Sequence, residues 1–223
     1  MKIAAFDIET IPAQNLPEGC EPEVKIGNMT DPVKIAAKVA AAIDKTAATD
    51  PAMCQVTTFC GMMYDTREHK VIEKVSAQWP PAESEYNGIF EAWKFINVAH
   101  SNRDPLVSFN GSGFDLPVLL FRAMALDVPV DPEMYAQLTK KWGTNLHYDL
   151  QQILAGYNPS RWHRFEVYLR LFKIGGKTEG MDGSKVYGAW KAKEYDKIQK
   201  YCEGDVLNLC KLFERVEHWI KME

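Results

Sequence analysis

Two carboxylates, Asp7 and Glu9, stand inside the first apolar run of the chain, "IAAFDIETIP". On a strand, residues i and i+2 leave the same face, so both acids point one way while Phe6 and Ile8 point the other. Buried side by side, two ionised acids repel each other unless a cation sits between them. Carboxylate-only ligation favours a hard divalent ion such as Mg²⁺ or Mn²⁺. Two further acids suit the same ions: Asp115, which ends "NGSGFD", and Asp205 in "YCEGD". Tyr201 precedes Asp205 by four residues, so phenol and carboxylate share one helical face, one turn apart. Four carboxylates and a tyrosine converging at one end of a sheet are the components of two-metal phosphodiester hydrolysis.

The elements that must position these groups can be read along the chain. Residues 2 to 8 form the first strand, expected to be central. A helical insertion at about residues 12–50 follows, with Asp31 as N-cap and Pro32 as first helical residue of "DPVKIAAKVAAAIDK". "QVTTFCGMMY" and "KVIEKVS" read as two strands joined by a hairpin. "SEYNGIFEAWKFINVAHS" reads as an amphipathic helix whose apolar face carries Phe90, Trp93 and Val98, filled in by Ile89 and Ile96. "PLVSFNG" is a short strand entering a Gly-rich turn, and "DLPVLLFRAMAL" is a helix that tolerates Pro117 in its first turn. "NLHYDL" is a last strand and "QQILAG" starts a helix. A long helix from Glu194 to Met222 closes the chain, with Ile198, Tyr201, Val206, Leu209, Leu212, Phe213, Val216 and Ile220 on its apolar face. The order predicts one α/β domain over 1–223, a central mixed five-stranded sheet flanked by helices.

The three acidic clusters carry a resemblance. "DIE" at 7–9, "NGSGFD" at 110–115 and "YCEGD" at 201–205 resemble the three motifs of the DEDD superfamily of 3′–5′ exonucleases, the DnaQ-like enzymes. The Y-x-x-x-D form of the last motif resembles the DEDDy branch. The nearest likeness is to predicted exonucleases related to the proofreading domain of family B DNA polymerases, through "FDIETIP", "SFNGSGFDLPVL", "YCEGDVLNL", "KIAAK" and "GMDGSKV". The resemblance implies a ribonuclease H-like fold and removal of nucleotides from a 3′ end with two divalent metals, Mg²⁺ or Mn²⁺. It implies Asp7, Glu9, Asp115 and Asp205 as metal ligands and Tyr201 as the group orienting the attacking water. It places Thr10, Asn110 and Phe114 against the terminal nucleotide. DNA 3′ ends are the implied substrate, with RNA as the alternative polymer. A proofreading role would need a polymerase or repair partner in trans, since no polymerase machinery is recognisable.

Other readings compete locally. Asp115 could cap its helix, and Asp149 in "HYDL" is best explained as an N-cap. His147 is expected to be structural. Trp162, Phe165, Tyr168 and Phe172 offer base-stacking surfaces, but their spacing fits a buried helical stripe better. "GGKT" at 175–178 is not a phosphate-binding loop, because Leu171 stands where the first glycine belongs and a helix precedes it. A flexible loop there could bring Lys177 or Lys185 to substrate phosphates, within a stretch (160–200) holding ten Lys/Arg against five Asp/Glu. The whole chain carries a net charge of −4, which does not by itself announce a nucleic-acid binder. No apolar run is long enough for a membrane span. The start "MKIAAFDIE" is not expected to be a signal peptide. Five scattered cysteines without a C-x-x-C pair point to reduced thiols in a cytoplasm-like compartment. The alternative from another functional class is an exonuclease-fold binding module without activity.

Overall fold

The computed structural model describes residues 1–15, 24–78, 85–140, 146–176 and 180–220, the side chains of 43–47 excepted. One five-stranded sheet organises them, in the order β3-β2-β1-β4-β5. The strands are β1 (Lys2–Pro12), β2 (Cys54–Asp65), β3 (Lys70–Gln78), β4 (Leu106–Ser108) and β5 (His147–Asp149). β1 lies antiparallel to β2 and parallel to β4, β2 antiparallel to β3, and β4 parallel to β5, so the sheet is mixed.

Central placement explains why β1 reads as a nearly continuous apolar run, since both of its faces are covered. Ala4, Phe6 and Ile8 pack toward α2 (Glu85–Asn102) and α3 (Asp115–Ala125), against Ile89, Trp93, Leu116 and Leu119. Ile3 and Ala5 pack toward α8 (Tyr195–Val216), against Cys202, Val206, Leu209 and Phe213. Asp7 and Glu9 continue that odd-numbered face. The strand alternation thus delivers both acids to the α8 side of the sheet.

The strand is longer than residues 2–8: it runs on to Pro12, past a register shift between Glu9 and Thr10. Between β1 and β2 lies α1 (Pro32–Thr46), capped by Asp31, whose Oδ1 accepts from Val33 N at 2.9 Å. This segment is pinned beside β1 by Thr10, whose hydroxyl donates to the Ala48 carbonyl at 2.6 Å. On α2 the buried face is Ile89, Ala92, Trp93, Phe95, Ile96 and Ala99. Phe90 and Val98, expected on that face, are instead 42% and 51% exposed. Phe95 takes a place on it because Gly61 of β2 leaves room for its ring, which a Cβ there would meet at 2.8 Å.

The remaining helices are α4 (Pro132–Leu138), α5 (Leu150–Leu154), α6 (Phe165–Leu171) and α7 (Val186–Lys191). α6 starts only at Phe165, so Trp162 lies on the preceding turn and the expected helical stripe is broken there. The last long helix ends at Val216 in a single 3-10 turn, Glu217–Trp219, and Met222 lies outside the described residues. Among the described cysteines, 54, 60, 202 and 210 are free and buried; Cys20 lies outside the described residues. No described helix is long and apolar enough to cross a membrane.

Candidate active site

Three elements bring their acids to one cavity of about 190 Å³ at the C-terminal ends of β1 and β4. β1 supplies Asp7 and Glu9, the first residue of α3 supplies Asp115, and the middle of α8 supplies Tyr201 and Asp205. Asn110 and Phe114 line the same cavity, together with Ile8, Phe109, Phe165 and Leu209. Thr10 is not among the lining residues, and its hydroxyl is engaged by Ala48. Lys185 makes an ion pair with Asp182 at 3.2 Å, and Lys177 lies outside the described residues.

Glu9, Asp115, Tyr201 and Asp205 are buried, and Asp7 partly so. None of the described lining residues is a Lys or Arg. Burial is the main influence on the ionisation of Asp115 and of Tyr201. It pushes the Asp115 carboxyl up to about 7, with the Asp149 charge adding to the rise. Hydrogen bonds from the Asp115 and Ile8 backbone, and one shared with the Asp7 side chain, work against it. Burial also drives the Tyr201 phenol far up, reinforced by the charges of Glu9, Asp205 and Asp7. The phenol therefore stays protonated and donates to Asp205.

Asp7, Glu9 and Cys202 place possible ligand atoms within 4.8 Å of one another. The thiol is nevertheless no ligand of this cavity. It is fully buried outside the lining, held protonated chiefly by burial, and donates to the Asp7 carbonyl at 3.6 Å. Cys202 is the floor under β1.

The turn that carries Asn110, Phe114 and Asp115 is built on Asp149. Its Oδ1 accepts from Asn110 N at 2.9 Å and its Oδ2 from Ser112 N at 3.1 Å. Oδ1 also caps α5 through Gln151 N at 3.1 Å. The expected cap is thus present, joined by a second task that residue spacing does not reveal. Asn110 sits at φ 67°, a left-handed conformation that asparagine tolerates, and its carbonyl accepts from Gly113 N and Phe114 N. Asp115 does not cap α3; that position is Phe114, without a side-chain cap, and Asp115 is the first helical residue.

Ser108, His147 and Asp149 have the residue types of a hydrolytic triad but not its geometry. The Ser108 hydroxyl meets His147 Nε2 at 2.7 Å, yet it is fully buried and also accepts from Gly111 N at 3.1 Å. His147 Nδ1 faces the Leu138 carbonyl at 3.1 Å, and burial lowers its pKa, so the ring is a neutral structural link. Asp149 spends its carboxylate on backbone amides and on the Gln152 side chain. The trio holds the turn.

Of the apolar wall of the cavity, sequence reasoning missed Phe109 and set Phe165 down to a buried helical stripe. Phe109 and Phe165 meet at 4.8 Å between ring centroids, and neither sits in an acidic motif that could have drawn attention to it.

Comparison with solved structures shows the fold. The family B DNA polymerase from the hyperthermophilic archaeon Pyrobaculum calidifontis matches 97% of this chain with a TM-score of 0.60 at 19% identity. E. coli exonuclease I in complex with a dA16 oligonucleotide matches 97% at a TM-score of 0.45 and 15% identity. The chain spans only 24% of that polymerase and 41% of that exonuclease. No curated protein matches its sequence. The mixed five-stranded sheet flanked by helices is the ribonuclease H-like, DnaQ-like exonuclease fold. A family model matches residues 50–222, a stretch that takes in Asp115, Tyr201 and Asp205 and leaves out β1. By that match the chain belongs to the predicted 3′–5′ exonucleases related to the exonuclease domain of PolB.

Proposed function

We propose that this chain removes nucleotides from the 3′ end of single-stranded DNA by metal-assisted phosphodiester hydrolysis. The observation that carries the reading is the convergence of four acids on one cavity with no lining cation among the described residues. Such a donor set is costly to bury alone and suits hard divalent ions. The buried Oδ1 of Asp115, which has no hydrogen-bond partner among the described residues, fits the same assignment. Asp7, Glu9, Asp115 and Asp205 would hold two ions, Mg²⁺ or Mn²⁺. Bound there, the ions would supply a water of lowered pKa and charge stabilisation on the leaving 3′-oxygen.

The chain's own residues do the rest. Tyr201 keeps its proton and acts as a hydrogen-bond donor, so it orients the attacking water or a phosphate oxygen and does not deprotonate it. Phe109, Phe114 and Phe165 form an apolar wall against which the terminal base can lie, and Asn110 brings a polar side chain to the same edge. Asp149 holds the turn that sets Asn110, Phe114 and Asp115 in register with β1.

The test uses a 5′-labelled single-stranded DNA oligomer and the matching RNA, with Mn²⁺, with Mg²⁺ and with EDTA. A metal-dependent ladder shortening from the 3′ end, absent in Asp7→Ala, is the expected result. Hydrolysis that persists in EDTA, or none on either polymer, refutes the reading.

A further inference from the structure

The segment Arg161–Phe165 leaves the 3-10 turn Pro159–Arg161 and enters the first turn of α6, ending in the cavity. Phe165 is the point of contact, packed on Phe109 inside it. Just outside, Arg161, Trp162, His163 and Arg164 are all exposed. Neither Arg161 nor Arg164 has an acidic partner among the described residues. Trp162 keeps 41% of its surface in water. A tryptophan between two uncompensated guanidiniums adds little to the core.

The backbone at Trp162 and Arg164 is extended, at φ/ψ of −68°/133° and −66°/151°. From Phe165 back to Trp162 is then a path of about 10 Å. That is one or two nucleotides beyond a base held in the cavity. Guanidiniums grip phosphates through paired hydrogen bonds, and an indole face takes any unpaired base. Bases within a duplex are stacked on one another and offer no such face.

We propose that Arg161, Trp162 and Arg164 form a single-strand nucleic-acid track leading into the cavity. Trp162 stacks on a base upstream of the terminal nucleotide, and the two arginines hold the flanking phosphates. The inference rests on the nuclease reading of the cavity but is separable from it by experiment.

The experiment measures fluorescence anisotropy of 5′-labelled dT12, rU12 and a blunt DNA duplex of equal length, in EDTA so that no hydrolysis intervenes. Trp162→Ala weakens dT12 binding roughly tenfold, and Trp162→Phe restores most of it. The Arg161→Ala, Arg164→Ala double variant makes the salt dependence of dT12 binding shallower by about 1.4 in log–log slope. Duplex binding does not change. A loss on rU12 equal to that on dT12 means that the track ignores the sugar; a loss on one polymer alone assigns the track to it. Unchanged melting temperatures show that the variants fold. Equal affinity of wild type and all variants overturns the track, as does wild type that binds no single strand. Wild type that binds with these sensitivities and cleaves nothing with Mn²⁺ refutes the nuclease reading and leaves the track standing.

Discussion

Asp149→Ala removes the acceptor on which the turn of Asn110 and the start of α5 both depend. Two turn amides, Asn110 N and Ser112 N, lose a charged partner, and α5 loses its N-cap at Gln151 N. An amide left without its buried partner costs about 1–3 kcal/mol. These two are only part-buried, so water recovers some of the loss and the lower figure applies. A lost cap costs about 1 kcal/mol. The sum is about 3 kcal/mol, or a fall in melting temperature of roughly 6–12 °C for a chain of this size. Urea unfolding in EDTA measures it directly. The same variant should bind Mn²⁺ at least about tenfold more weakly by calorimetry, because the loosened turn carries Asp115. Asp149→Asn keeps one acceptor oxygen and should lose about half as much stability, in line with the preference for Asn at caps. A stability loss below about 1 kcal/mol, no more than the cap alone is worth, would mean that the turn holds itself through the bonds of Gly113 N and Phe114 N to the Asn110 carbonyl. Unaltered Mn²⁺ affinity would refute the link from Asp149 to the cavity.

Three further outcomes are expected. Without metal, the raised Asp115 pKa means that the folded state holds a proton which the unfolded state has lost; this group's contribution to stability therefore falls as pH rises from about 4 and levels off above about 7. Asp115→Asn in EDTA should accordingly melt higher than wild type at pH 8 and match it near pH 4; the reverse order contradicts the burial argument. Tyr201→Phe should fold normally and lose about 10²–10³ in turnover, while the alkaline side of the pH–rate profile keeps its shape, since the phenol is not the base. Disappearance of an alkaline ionisation in that variant would say otherwise. Gly111→Ala would drive a Cβ into the Ser108 side chain, both its hydroxyl and its Cβ, and overpacking of this kind costs about 1–3 kcal/mol in urea unfolding; an unchanged stability would refute the close packing of the turn on β4.

That the sheet is mixed with β1 at its centre was legible from the order of the elements, and the shared face within two of the acidic clusters was legible from simple periodicities. A two-residue repeat separates Asp7 and Glu9 from Phe6 and Ile8, and a four-residue step joins Tyr201 to Asp205. What escaped depends on neighbours that periodicity does not contain. The face of α2 turned away from Phe90 and Val98 because Gly61 on β2 admits Phe95, a choice made by a residue far away in sequence. Phe165 and Tyr168 were readable as a helical stripe, but α6 begins at Phe165, which leaves Trp162 in water and turns Phe165 into the cavity. Asp149 was legible as a cap because capping is local. Its grip on Asn110 and Ser112 was not, since it spans 39 and 37 positions of the chain.

The hydrogen bond from the Cys202 thiol to the Asp7 carbonyl joins residues 195 positions apart. Contacts of that separation close large loops and form late in folding. The cavity is therefore incomplete until α8 has docked: β1 carries two of the acids, but Tyr201 and Asp205 arrive only with that helix. An opening that frees α8 would take Tyr201 and Asp205 out of the cavity and leave Asp7 and Glu9 on β1 without them.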